Sequence, residues 1–242
     1  MPTPSAGILL DAWEEGRARS DPERGLLLLA AGLPEMSGEA MAALPIGRRD
    51  AALLSLREAL FGIELKGLVT CPSCSERLEL ILRTGDLRAR GEAGAARDVV
   101  IQDGAEVCFR LPDSRDLLAL AGLTDAGALR DALLERCILS IAGESPAPIA
   151  ALREETIAAI EDRMSEIDPQ ANVEIAVDCP SCSHHWGTSF DILDYLWGEL
   201  EAWARRTLHE VHVLATQYGW SEDEILALSP SRRRTYLEMV SA

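Results

Sequence analysis

Six cysteines are present, and four of them stand as two C-x-x-C pairs: Cys71 with Cys74, and Cys179 with Cys182. A C-x-x-C turn bends the backbone so that two thiolates reach one ion while nearby amides point at the sulfurs. Two such turns facing each other complete a tetrahedral four-cysteine shell of the kind that holds zinc. The surrounding segments repeat. Cys71-Pro-Ser-Cys-Ser-Glu-Arg-Leu78 matches Cys179-Pro-Ser-Cys-Ser-His-His-Trp186, and apolar residues precede both, at Leu68-Val69 and Ala176-Val177. One C-x-x-C would be weak; two near-identical copies specify one site. Four thiolates leave no open position for water, so the expected zinc, one per chain, is structural and not catalytic. The competing reading is a redox dithiol, but neither pair opens a helix in a βαβ setting. The long insertion between the pairs costs only logarithmically in loop entropy. Cys108 and Cys137 have no nearby partner and read as buried core thiols.

Other constellations are weaker. His209-Glu-Val-His212 looks like a shortened zinc-protease helix and is the basis for one alternative, a metal-dependent hydrolase. That chemistry needs histidines at i and i+4 around a glutamate base. Here they stand at i and i+3 with no evident third ligand, so helix-surface contacts are expected. His184 and His185 flank the second pair, but four cysteines already suffice. Ser229-Pro-Ser-Arg-Arg-Arg234 resembles a phosphate-binding helix start and supports a second alternative, a zinc-ribbon nucleic-acid adaptor. Against it stand Glu238 in the same helix and a formal charge of −17, from 40 acidic and 23 basic residues. Nucleic-acid affinity rests largely on neutralised phosphates, so no nucleic-acid partner is expected. Arg232, Arg233 and Arg234 are expected to meet an acidic surface, either of a partner protein or of this chain. No Walker loop, Gly-rich dinucleotide turn or nucleophile elbow is present, so no enzyme is indicated.

The elements that must position the cysteines follow from composition and periodicity. A chain of 242 residues, 48% hydrophobic but only 5% aromatic, can bury a sizeable core built from Leu, Ala, Val and Ile. The first residues lack a basic start and carry Asp11, Glu14 and Glu15, unlike a signal peptide. No stretch reaches the roughly 20 apolar residues of a membrane span. A cytoplasmic, reducing setting is expected, where paired cysteines read as metal ligands before disulfides.

Helices are predicted over 8–16, 21–31 and 47–61, the last with Ala52, Leu53, Leu56, Leu60 and Phe61 on one stripe and Gly62 closing it. Residues 33–45 read as a loop. A strand at 76–83, a polar loop at 83–97, and strands at 99–102 and 105–111 around the tight-turn pair Asp103-Gly104 come next. Helices return at 115–121 behind a Ser114 cap, at 125–142 behind Thr124 and before Gly143, and at 149–167 before Asp168-Pro169. Val173, Ile175 and Val177 alternate along a strand at 173–178, and 190–217 is a long amphipathic helix. Ser221 with Glu224 makes a capping box, and Ser229-Pro230 starts the last helix. The fold class is α+β. A zinc ribbon of two distant knuckles spans 67–191, with a small sheet and helices inserted over 98–167, between helical segments 1–66 and 192–242.

Two segments carry a resemblance. One is Leu44-Pro-Ile-Gly-Arg-Arg-Asp-Ala-Ala-Leu-Leu-Ser-Leu-Arg-Glu-Ala-Leu-Phe-Gly62. The other runs from Phe190-Asp-Ile and Leu196-Trp197 through Glu210-Val-His and Tyr218-Gly-Trp-Ser-Glu to Ile225-Leu-Ala-Leu-Ser-Pro, Arg232-Arg233 and Tyr236-Leu-Glu-Met-Val240. With both knuckles, these resemble the phage-type baseplate proteins of contractile injection systems, which are related to the baseplate hub assembly chaperones of T-even-type phages. The family knuckle usually reads Cys-Pro-x-Cys-Gly, whereas Ser75 and Ser183 stand at the glycine position here. The resemblance implies a non-enzymatic assembly or structural role among other baseplate or tail proteins, with no catalytic residues to carry over; the terminal helices are expected to present the binding faces.

Overall fold

The computed structural model describes residues 3–89, 95–102, 105–142 and 149–241. The chain opens with helices α1 (Ala6–Gly16), α2 (Asp21–Gly32), α3 (Gly38–Ala42) and α4 (Ile46–Phe61). The short α3 interrupts the expected 33–45 loop. Ser37 accepts from the Ala40 amide at 3.3 Å, and Met41 is drawn into the core, which suffices for one capped turn. α4 ends as expected at Gly62, whose φ of 89° lies where a side chain is unfavourable.

Strands β1 (Glu64–Thr70) and β2 (Arg77–Arg83) form an antiparallel hairpin, followed by the helical turn α5 (Thr84–Leu87). Then β3 (Arg97–Gln102) and β4 (Ala105–Arg110) pair antiparallel, with Gln102 opposite Ala105. The turn pair Asp103-Gly104 and the helix-ending Gly143 lie outside the described residues. α6 (Ser114–Leu120) and α7 (Ala126–Cys137) follow, and then β5 (Ile138–Ile141), which pairs with β4.

Three expectations are corrected in this stretch. The cap of α6 is Asp113, not Ser114: its carboxylate accepts from the Arg115 amide at 2.9 Å, and Asp116 returns the bond by accepting from the Asp113 amide at 3.0 Å. The cap of α7 is Asp125, not Thr124, accepting from the Ala128 amide at 2.8 Å. The helix expected to reach 142 stops at Cys137, because Ile138 and Ile141 are better placed in a strand beside β4, where Ile138 joins Val107 and Phe109 in the core.

A 3-10 turn (Ile149–Ala151) separates from α8 (Glu154–Ile167), where one continuous helix was expected. A second 3-10 turn (Pro169–Ala171) leads to the hairpin of β6 (Val173–Asp178) and β7 (His185–Phe190). The chain ends in α9 (Ile192–Tyr218), α10 (Glu222–Leu226) and α11 (Pro230–Ser241). Both tail caps are present: Ser221 accepts from the Glu224 amide and Ser229 from the Arg232 amide, each at 3.3 Å.

Among the described residues, apolar burial falls in three clusters. The largest joins Leu9, Leu28, Leu53, Leu54 and Leu56 to Leu196 and Leu200 of α9 and to Leu65 and Leu87 near the first hairpin. The second packs β4 and β5 against α7 and α8 through Val107, Phe109, Leu134 and Ile160. The third closes α10 and α11 onto the end of α9 through Val211, Leu214 and Ile225. The first two are tied together at the start of α4. The Gly47 amide donates to Asp168 at 2.9 Å and the Ile46 amide to the Pro112 carbonyl at 3.1 Å. Asp168 thus supplies, from 121 residues away, the side-chain acceptor that Pro45 cannot give to this helix end.

Candidate metal centre

Each C-x-x-C forms the tip of an antiparallel hairpin, the first between β1 and β2, the second between β6 and β7. The sequence repeat becomes a repeat of backbone bonds. In the first knuckle the Cys71 amide donates to the Glu76 carbonyl at 2.8 Å and the Ser75 amide to the Cys71 carbonyl at 2.9 Å. In the second the Cys179 amide donates to the His184 carbonyl at 2.9 Å and the Ser183 amide to the Cys179 carbonyl at 2.8 Å. The last turn residue must adopt a left-handed conformation, and Ser75 (φ 62°) and Ser183 (φ 57°) do so without being glycine.

The knuckles face one another. Cys71 Sγ lies 3.7 Å from Cys182 Sγ, and Cys74 Sγ lies 3.6 Å from Cys179 Sγ. All four ligand atoms fall within 4.8 Å of one another. Zn–S bonds of about 2.3 Å in a tetrahedron set S···S edges of about 3.8 Å, close to these separations. A disulfide needs about 2.05 Å, so the four are thiols. Cys71 and Cys179 are buried, whereas Cys74 and Cys182 reach the surface.

The electrostatics favour a dication. Burial pushes the Cys71 thiol up, but the amides of Cys74 and Ser73 and the neighbouring thiols outweigh it and hold it at about 7. At Cys74 the Glu76 amide lowers the pKa, yet Cys182, burial, Cys179 and Cys71 together push it up to about 12. One negative charge is thus easily held by the cluster and the next is resisted. A divalent cation among the sulfurs removes that resistance. The donor set and its spacing fit a metal ion whose four coordination positions are all filled by sulfur.

The other candidates do not join this cluster. His185 Nδ1 pairs with the Asp178 carboxylate at the exposed end of β6, and His184 stacks on Trp186 at 5.8 Å. His209 and His212 are exposed on α9, and among the described residues the only grouping with metal-ligand spacing is the four cysteines. Cys137 is buried and its thiol is pushed up to about 12 by desolvation, whereas Cys108 is partly exposed, against expectation. Arg233 is turned inward: it is 4% exposed, its Nε donates to Glu210 at 3.0 Å and its Nη1 to the Leu228 carbonyl at 2.8 Å. Of the two surfaces expected for the arginine run, Arg233 meets the chain's own, while Arg232 and Arg234 remain exposed.

Two side chains that position the first hairpin have no sequence signal. The Tyr195 hydroxyl donates to the Lys66 carbonyl at 3.1 Å and accepts from the Lys66 amide at 2.9 Å, fixing the edge of β1 to α9. Arg57 of α4 donates to the Gly62 and Glu64 carbonyls, both at 2.7 Å, where the chain enters β1. No helix of the described residues is long and apolar enough to cross a membrane.

Among curated proteins and among solved structures, no match to the chain is significant. A family profile described as "T4 bacteriophage base plate protein" matches residues 34–197, from the loop before α3 to the first turns of α9. That stretch is more than half of the chain and contains both knuckles, the inserted sheet and the contact of Gly47 with Asp168. The chain belongs to the T4 bacteriophage base plate protein family.

Proposed function

We propose that this chain is a non-enzymatic assembly or structural protein of the baseplate in a contractile injection system or phage tail. It acts through contacts with other baseplate or tail proteins, in the manner of a hub assembly chaperone or as a component of the particle. One zinc ion held by Cys71, Cys74, Cys179 and Cys182 forms a zinc ribbon that staples the module 67–191, into which 98–167 is inserted. The helical segments on either side present the binding faces. The observation that carries this reading is the sulfur quartet at tetrahedral spacing inside the family-matched stretch. Such a closed shell supplies folding energy, on the order of 10 kcal/mol in zinc-finger peptides, and no position for a reacting water. The protein is made in the cytoplasm, where the thiols stay reduced until metal enters.

Elemental analysis of purified protein is expected to give one zinc per chain, lost in Cys71→Ser and in Cys179→Ser. Folded protein free of metal, with all four thiols titratable, would overturn the metal assignment. Affinity purification of the tagged chain from cells assembling particles should recover baseplate proteins. Their absence there, together with absence of the chain from purified particles, would overturn the assembly role.

A further inference from the structure

We propose that the four cysteines are also a site of reversible oxidation, where a peroxide closes two disulfides across the knuckles, Cys71 to Cys182 and Cys74 to Cys179. The proposal rests on reading the quartet as a metal centre, and it gives that clamp a second, metal-free form.

The sulfur contacts set the pairing. Each knuckle contributes one buried sulfur, Cys71 or Cys179, and one exposed sulfur, Cys74 or Cys182. Each exposed sulfur lies against the buried sulfur of the opposite knuckle, at 3.7 Å for Cys182 with Cys71 and 3.6 Å for Cys74 with Cys179. An oxidant from solvent reaches the exposed member first, and the buried member is already in contact to resolve the product. The exposed thiol attacks the O–O bond of hydrogen peroxide, giving a sulfenic acid and one water. The buried thiol then attacks the sulfenic sulfur, forming the S–S bond and releasing a second water. Each bridge therefore consumes one peroxide and two thiols, and the two electrons leave sulfur for oxygen. A bound zinc loses its ligands as the thiols are consumed, so metal release accompanies closure.

Closure asks little of the backbone, since each pair needs to shorten only to about 2.05 Å. It also preserves the fold. The bridges span 111 and 105 residues, so they hold the two hairpins together as the ion did. A bridge within one knuckle would close a far shorter loop, constrain the unfolded chain less, and leave the hairpins free to part. Cys137 stays out of this chemistry, because its burial disfavours the thiolate.

The test is a titration of purified, metal-loaded protein with hydrogen peroxide. A colorimetric indicator follows zinc release, and mass spectrometry maps the non-reduced tryptic peptides. The expected result is loss of four thiols in step with one zinc, and a covalent link between the peptide holding Cys71 and Cys74 and the peptide holding Cys179 and Cys182. Fragmentation of the linked peptides should place the bridges in the stated pairs, and a cooperative thermal transition should survive until reductant and chelator are added together. Bridges within a knuckle, or sulfinic acids without bridges, overturn the proposal. If the purified protein carries no zinc, the metal reading fails while the bridge map still decides the pairing. The double variant C71S/C182S should close its remaining pair at least tenfold faster than C71S/C179S, which retains only the two exposed sulfurs. Equal rates in two folded variants overturn the proposal as well.

Discussion

Arg57 and Glu199 form a two-pronged ion pair between α4 and α9, with Nε to Oε2 at 2.8 Å and Nη2 to Oε1 at 2.7 Å. The guanidinium is 2% exposed and also holds the two carbonyls that lead into the first knuckle hairpin. One side chain thus ties together two core helices and the approach to the cysteines. Removing one partner of a fully buried pair typically costs about 3–5 kcal/mol, and because Glu199 keeps 26% of its side chain exposed the lower end, about 3 kcal/mol, applies here. Arg57→Ala is expected to lose that much, and Arg57→Lys to lose most of it, since an ammonium cannot reproduce the planar fork. Chemical denaturation of both variants checks this; Lys behaving like wild type would show that the bidentate geometry is unimportant.

The left-handed serines make the knuckles improvable. A non-glycine residue there costs about 1–2 kcal/mol, whereas glycine adds about 0.5–1 kcal/mol of unfolded-state entropy. The first exceeds the second, so Ser75→Gly and Ser183→Gly should each stabilise the protein by roughly 0.5–1 kcal/mol. Thermal melts in the metal-loaded state measure it, and a lowered midpoint in both variants would refute the strain argument.

Gly47 is expected to be intolerant for the opposite reason. A Cβ there would come within 2.7 Å of Asp168 Cγ and 2.8 Å of the Ala171 amide nitrogen, and backbone cannot swing aside. Gly47→Ala should destabilise by about 1–3 kcal/mol through overpacking and loss of the Asp168 cap. The readout is the thermal midpoint together with protease sensitivity around 168–171.

The acid limb of stability should run through Asp116. This carboxylate is fully buried and bonded to Arg110 at 2.6 Å and 2.7 Å and to Arg136 at 2.9 Å. Desolvation raises its pKa, but Arg110, the Asp113 amide and Arg136 outweigh that and hold it below the ordinary 3.8. A depressed folded value means that its stabilisation is present above 3.8 and is lost as pH falls through the lower folded value. Asp50 and Asp168 act in the opposite sense, since desolvation raises both above 3.8; their contribution is present below that value and lost as pH rises. Asp116→Asn should therefore destabilise by about 3 kcal/mol at neutral pH and flatten the loss of stability in acid. Melting midpoints of wild type and variant across the acid range would expose a mistake in this sign.

Much of this arrangement is legible in the sequence. The repeat of Cys71 with Cys74 and Cys179 with Cys182 predicted the meeting of the knuckles, because that pattern has few other physical uses. The Leu53 and Leu56 stripe with Gly62 behind it placed α4 almost to the residue. The stretch Ile138–Ile141 departs from the expected helix because helix and strand periodicities are indistinguishable over four apolar-rich residues, and only its neighbour β4 decides between them. The anchors Arg57, Tyr195 and Asp168 were invisible for a different reason. Each reaches a partner more than a hundred residues away, and no local spacing records such a contact.

The separation of the knuckles also orders events at the ribosome. At synthesis rates of about 5–20 residues per second, the 105 residues from Cys74 to Cys179 take about 5–20 s to emerge. Throughout that interval the first hairpin displays two thiols with nothing to complete them, and the start of α4 waits as long for Asp168. Closure of the quartet therefore reports that the whole intervening stretch has been made, and a truncated chain ending before Cys179 cannot acquire it.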